Sequence, residues 1–173
     1  SWIDLDHVGI FGHSGGGFMS TAALLTYPDF YDVACSSAGN HDNNIYNKWW
    51  SETHNGVEAV YKKKKDDDGN EVEELTWNAK IKTNQSLANN LKGHLLLTHG
   101  NIDKNVHPTN SLRLADELIK AGKRFDMMIF PGKRHGYGSF RSYYEKMMWY
   151  YFAEHLLGDY RNNVDIALPN SGK

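Results

Sequence analysis

Apolar residues along this chain fall into short continuous runs, separated by stretches whose apolar positions recur at helical spacing. His7-Val8-Gly9-Ile10-Phe11 is brief, β-branched and followed by Gly12, the pattern of a buried strand. From Gly17 to about Thr26 the positions Phe18, Ala22 and Leu25 predict a helix, with Met19 and Ala23 widening its face and Tyr27-Pro28-Asp29 ending it. Val33–Ser37 and Leu95–Thr98 predict two further buried strands, and Phe125–Phe130 a fourth, stopped by Pro131-Gly132. Asn84–Lys92 predicts a short helix. Pro108 suits the first turn of a helix carrying Leu112, Ala115, Leu118 and Ile119, with Gly122 as its left-handed cap. Tyr144, Met148, Tyr151 and His155 trace the face of a last helix ending at Gly158. Strands alternating with helices predict a three-layer α/β fold on about four parallel strands.

Between Gly39 and Leu91 this alternation fades. Ala59–Trp77, with the KKKKDDDG run at Lys62 to Gly69, predicts an exposed β-hairpin turning at Asp68-Gly69, an insertion whose opposite charge blocks form a solvated surface.

Composition narrows the function. The chain has 19 Lys+Arg against 21 Asp+Glu, a net charge of −2, so no overall basic field favours nucleic acid as a partner. No window is long and apolar enough to span a bilayer. The single Cys35, inside the apolar Val-Ala-Cys-Ser-Ser run, excludes an internal disulfide and reads as a buried structural thiol.

Gly12-His13-Ser14-Gly15-Gly16 fits G-x-S-x-G, the elbow in which a strand turns sharply into a helix and holds a serine above the sheet. Glycine at 12 and 16 is expected to avoid collisions with strand and helix backbone. A nucleophilic serine needs a base, and the base needs a carboxylate to orient it. Asp103 follows the third strand and His135 the fourth, so all three lie on loops at the C-terminal edge of a parallel sheet in the order Ser, Asp, His. His13 reads as a packing or hydrogen-bonding neighbour. His99 and His107 flank Asp103 without metal-ligand spacing, so structural roles and no metal are expected.

The elbow, Asn101-Ile102-Asp103-Lys104-Asn105-Val106-His107 and Arg134-His135-Gly136 together resemble the prolyl oligopeptidase family of serine peptidases, most of all its dipeptidyl peptidase IV-like branch. The resemblance runs from about Ile3 to Leu157 and implies an α/β-hydrolase fold, of which this chain would be the C-terminal half, without the N-terminal propeller or first sheet strands. It implies removal of N-terminal dipeptides, after Pro or Ala, through an acyl-enzyme on Ser14, with peptide as partner and no cofactor. Gly15 would give a backbone N–H to the oxyanion, Asn105 would bind the carbonyl before the scissile residue, and Tyr46 and Trp50 would wall a proline pocket. Trp50 departs from the tyrosine expected there, and Gly15 from the tyrosine that follows the serine in this branch. The family implies a periplasmic or secreted location. An esterase or other acyl hydrolase, or an inactive interaction module, are the alternative readings. Residues 2–12, whose strand would pair with one outside this chain, are expected to form a contact edge in a homo-oligomer.

Overall fold

The computed structural model describes residues 4–78, 81–160 and 165–166. They form two compact units, residues 1–41 with 84–173, and residues 42–83. The first unit carries a parallel sheet of four strands in the order β1, β2, β5, β6: β1 is Gly9–His13, β2 Val33–Ser37, β5 His94–Gly100 and β6 Asp126–Phe130. Helix α1 (Gly15–Thr26) follows β1, α3 (Thr109–Lys120) follows β5, and α4 (Arg141–Leu157) follows β6. The fold is α/β, as the sequence predicts.

Strand periodicity sorts the core into two layers. On one face Ala34, Leu95 and Leu97 pack with Leu24 and Leu25 of α1, Leu114 and Leu118 of α3, and a 3₁₀ turn at Asn84–Asn90. Their neighbours Cys35 and Leu96 point the other way, to Phe130, Tyr137 and Tyr144 and Met148 of α4. A strand covered on both sides has no solvent face to show, so all of β2 is buried, and its apolar start runs into Ser36-Ser37 without alternation. Burial of Cys35 pushes its thiol up to about 12, an inert packing residue.

Three predicted details differ. β1 begins two residues later than expected and runs through Gly12, because pairing with β2 continues to His13 opposite Ser37. Helix α1 presents Gly17, Ser20, Thr21, Leu24 and Leu25 inward, while Met19 is 60% exposed. A close helix needs small residues, so the most apolar stripe is not the buried one. On α3 the inward face is Ser111, Leu114, Ala115 and Leu118, a better 3.6-residue stripe than the one predicted, and Leu112 and Ile119 face out. Strand β1 is one edge of the sheet, with Phe11 63% exposed; residues 2 and 3 of the expected contact edge lie outside the described residues.

In the second unit, α2 (Lys48–Asn55) precedes the hairpin of β3 (Glu58–Lys65) and β4 (Glu71–Asn78). The hairpin turns over Asp66–Asn70, where Asp66 Oδ1 accepts the N–H groups of Asp68 and Asn70 and Gly69 takes φ +84°. Lys63 and Lys64 meet Glu71 and Glu74 at 3.2 and 3.7 Å across exposed strands. Helix α2 is not predicted by the apolar pattern, since Ser51 is its one buried residue. Its signal lies at the ends: Asn47 Oδ1 accepts the Trp50 N–H, and Gly56 follows the last turn at φ +73°.

Glycine requirements around the elbow are sharply graded. A Cβ at Gly12 would lie 2.2 Å from the Gly16 carbonyl oxygen, and one at Gly17 would lie 2.6 Å from that of Ser37. At Gly16 it would meet nothing within 4 Å, which corrects the expectation that position 16 requires glycine. Gly12→Ala should therefore cost about 1–3 kcal/mol in chemical denaturation, as overpacking against backbone does, while Gly16→Ala should leave stability unchanged or slightly raised. Equal losses in the two variants would contradict this packing.

Candidate active site

Ser14 occupies the single residue between β1 and α1. Its backbone sits at φ 60°, ψ −121°, a region that non-glycine residues visit only under constraint, at a cost of order 1–3 kcal/mol. Two backbone hydrogen bonds hold it there. Its N–H donates to the Ser37 carbonyl at 2.8 Å, and its carbonyl accepts the Phe18 N–H at 3.0 Å, the first bond of α1. Gly15 opens α1, where the first N–H groups have no acceptor within the helix and so suit a developing negative charge.

Asp103 is 2% exposed on the loop after β5. Its Oδ1 accepts the N–H groups of Asn105 at 2.9 Å and Val106 at 3.1 Å, and its Oδ2 accepts His135 Nδ1–H at 2.7 Å. A second imidazole supports it from below. His99 Nε2 is 2.8 Å from the Val106 carbonyl, which can only accept, so Nε2 carries the hydrogen; the same nitrogen lies 3.3 Å from Asp103 Oδ2. His99 Nδ1 then accepts from Ser111 Oγ, and burial holds this ring neutral by lowering its pKa.

The loop carrying His135 is tied to the acid's loop rather than left free. The Gly132 N–H donates to Asn101 Oδ1 at 2.7 Å, and the Ile102 N–H to the Lys133 carbonyl at 3.2 Å. This approach needs Gly100, where a Cβ would lie 2.3 Å from the Lys133 oxygen and 2.7 Å from that of Arg134. The structure thus brings Asp103 and His135 into direct contact, and His13, the residue before Ser14, lies with its ring centroid 4.6 Å from that of His135. Among the described residues no hydrogen bond joins the Ser14 hydroxyl to His135. Asn105 is exposed two residues beyond the acid. Tyr46 and Trp50 belong to the second unit, where their rings meet edge to face at 5.6 Å and Trp50 also contacts His54 at 4.3 Å.

Sequence reasoning missed the residues that hold this arrangement: Ser37, Thr98, Gly100 and Tyr137. The available signal was polar residues ending otherwise apolar strands, Ser36-Ser37 and Thr98-His99, and a tyrosine directly after His135-Gly136. Among the described residues no group of three or more His, Cys, Asp or Glu side chains is placed to hold a metal ion, and no helix is long and apolar enough to cross a membrane.

Two histidines, one partly and one fully buried, make stability sensitive to acid. Burial, aided by the charge of His135, pushes His13 down to about 4, and burial pushes the fully enclosed His41 down to about 3. Both are more basic when unfolded, near 6.5. The unfolded chain therefore binds protons that the native chain refuses, and stability present above pH 6.5 is lost as pH falls toward 4. Urea unfolding should show a falling midpoint between pH 7 and 4.5, with a smaller fall in His41→Phe; an unchanged pH slope in that variant would refute the assignment.

The sequence profile of the prolyl oligopeptidase family matches residues 1–159. Dipeptidyl peptidase 8 from Homo sapiens and from Mus musculus is 31% identical over 157 residues, 90% of this chain and 16% of theirs. Dipeptidyl peptidase 4 from Trichophyton rubrum is 31% identical over 141 residues, 78% of this chain and 16% of that protein. Among solved structures, a protein named as a dipeptidyl aminopeptidase IV from Bacteroides ovatus superposes with a TM-score of 0.73 at 26% identity, over 90% of this chain and 20% of that one. Pyrococcus horikoshii acylaminoacyl peptidase superposes with a TM-score of 0.67 at 22% identity, over 94% of this chain and 26% of that one, a likeness of fold. The chain thus spans less than a fifth of the length of these curated relatives.

Proposed function

Since the chain belongs to the prolyl oligopeptidase family, we propose that it carries the catalytic centre of a serine peptidase that removes dipeptides from peptide N-termini. The observation that carries this reading is the 2.7 Å bond between a buried Asp103 and His135, formed beside a serine held at φ 60° on a strand-to-helix elbow. Relatives named dipeptidyl peptidases support the substrate class.

In this reading Ser14 Oγ attacks the scissile carbonyl carbon, and its proton passes to His135 Nε2. Asp103 accepts from Nδ1 throughout, which keeps Nε2 free as the base and stabilises the imidazolium once it forms. The oxyanion takes the Gly15 N–H. His135 then protonates the leaving amine, and water, activated by the same base, releases the dipeptide from Ser14. Asn105 holds the carbonyl before the scissile residue. No step calls on a cofactor.

A fluorophosphonate probe tests the centre directly. It should label Ser14, and Ser14→Ala should abolish labelling. Asp103→Asn, which lets the ring take the wrong tautomer, should slow labelling by on the order of 10³–10⁴. Asn105→Ala should slow hydrolysis of an Xaa-Pro dipeptide amide more than that of a simple acetyl ester. Equal losses on both substrates would argue for an esterase of the same fold.

A further inference from the structure

Beneath the acid–base pair lies a second chain of polar groups that the proposed chemistry does not use. His13 Nδ1 is 2.8 Å from Ser37 Oγ, Ser37 Oγ–H donates to the Tyr137 hydroxyl at 2.7 Å, and that hydroxyl is 2.9 Å from Thr98 Oγ1. The four residues come from the ends of β1, β2 and β5 and from the loop that carries His135, and the sheet register places His13 opposite Ser37 and Ser37 opposite Thr98.

The hydrogens in this chain can be counted. Ser37 has one hydroxyl hydrogen, and it goes to Tyr137. The bond at His13 must then be donated by the ring, so Nδ1 carries hydrogen. With the pKa of His13 down to about 4, the ring is neutral near pH 7 and its Nε2 is an unprotonated acceptor. Burial pushes the Tyr137 phenol up to about 12, so it keeps its own hydrogen, and Thr98 Oγ1 lies within hydrogen-bond distance at 2.9 Å.

Tyr137 is also strained and enclosed. It is 0% exposed, yet sits at φ 62° without being glycine. Its N–H donates to the Arg134 carbonyl at 3.1 Å, closing the turn that contains His135, and its ring packs on Phe130 and Tyr144 at 4.6 and 5.2 Å. A residue in this conformation stays there because its surroundings hold it, and here the hydroxyl is fastened to the ends of two strands.

We infer that Tyr137 is a positioning residue for His135: through a one-way relay from His13 to Ser37 to Tyr137 to Thr98 it anchors the turn bearing the base and fixes His13 as the Nδ1–H tautomer. The inference rests on the proposed peptidase reading for the role of His135, but the relay itself does not.

Tyr137→Phe tests it, because phenylalanine fills the same space without the hydroxyl. Ser37, having lost its acceptor, should turn its hydrogen to His13 Nδ1, and the ring should change to the Nε2–H tautomer, which long-range ¹⁵N–¹H NMR resolves. Fluorophosphonate labelling of Ser14 should slow by about tenfold to a hundredfold, as small misplacements of catalytic groups do. Ser37→Ala should slow labelling similarly. A packing role alone would leave the tautomer unchanged. If Tyr137→Phe fails to fold, the His13 tautomer in the unaltered chain still decides: Nδ1–H supports the relay and Nε2–H overturns it. A Tyr137→Phe chain that folds and labels at the unaltered rate overturns the positioning role. An unaltered chain that resists labelling while His13 shows Nδ1–H counts against the peptidase reading and leaves the relay standing.

Discussion

Burying the Asp103 carboxylate is the constraint from which much of the site follows. An ionised group with 2% exposure costs several kcal/mol unless its lone pairs are filled, and filling them dictates the surrounding backbone. The loop after β5 must curl so that the N–H groups of Asn105 and Val106 point back at Oδ1. His99 must present its Nε2–H side toward the carboxylate, which the Val106 carbonyl and Ser111 together enforce. The remaining donor is His135, and bringing it within 2.7 Å requires the Lys133 and Arg134 carbonyls to press on Gly100 where any side chain would block them. The position of His135 is thus a consequence of how Asp103 is buried.

The serine side of the site obeys a different rule, backbone strain held by sheet register. Ser14 keeps its unfavourable φ because β1 and β2 are parallel and paired through His13 and Ser37, so that its N–H meets the Ser37 carbonyl just past the last pair. Gly17 lets α1 descend close to that same carbonyl, and Gly12 lets the chain fold back over Gly16. A slip of one residue between β1 and β2 would break these contacts together and turn Ser14 away from the edge where Asp103 and His135 sit.

What was legible in the sequence follows from which forces act locally. β2 is buried on both faces, so it shows no polar–apolar alternation, and its limits coincide with those predicted. The hairpin turn declares itself through Asp68-Gly69, and the three candidate catalytic residues through their place after strands. Helix α2 hides because its stability comes from an asparagine cap rather than an apolar stripe. The inner faces of α1 and α3 were misread because close packing selects small residues, and Gly17, Ser20 and Ser111 score as polar or neutral. The relay of His13, Ser37, Thr98 and Tyr137 was invisible, since residues so far apart in sequence meet only once the register of three strands is known.

The relay and the acid–base pair solve one electrostatic problem between them. Two imidazoles lie with ring centroids 4.6 Å apart. Were both rings to be charged at once, each would oppose the charge of the other, including the one that the proposed mechanism places on His135. Each ring instead receives a different partner at Nδ1. His135 faces a carboxylate, which favours the imidazolium, whereas His13 faces the neutral oxygen of Ser37, which cannot compensate a charge in a partly buried position. Burial then keeps His13 down at about 4, so its ring takes up no second proton near neutral pH. The hydroxyl chain serves this asymmetry better than a second carboxylate would, because an acid beside His13 would raise its pKa and favour a second positive charge next to His135.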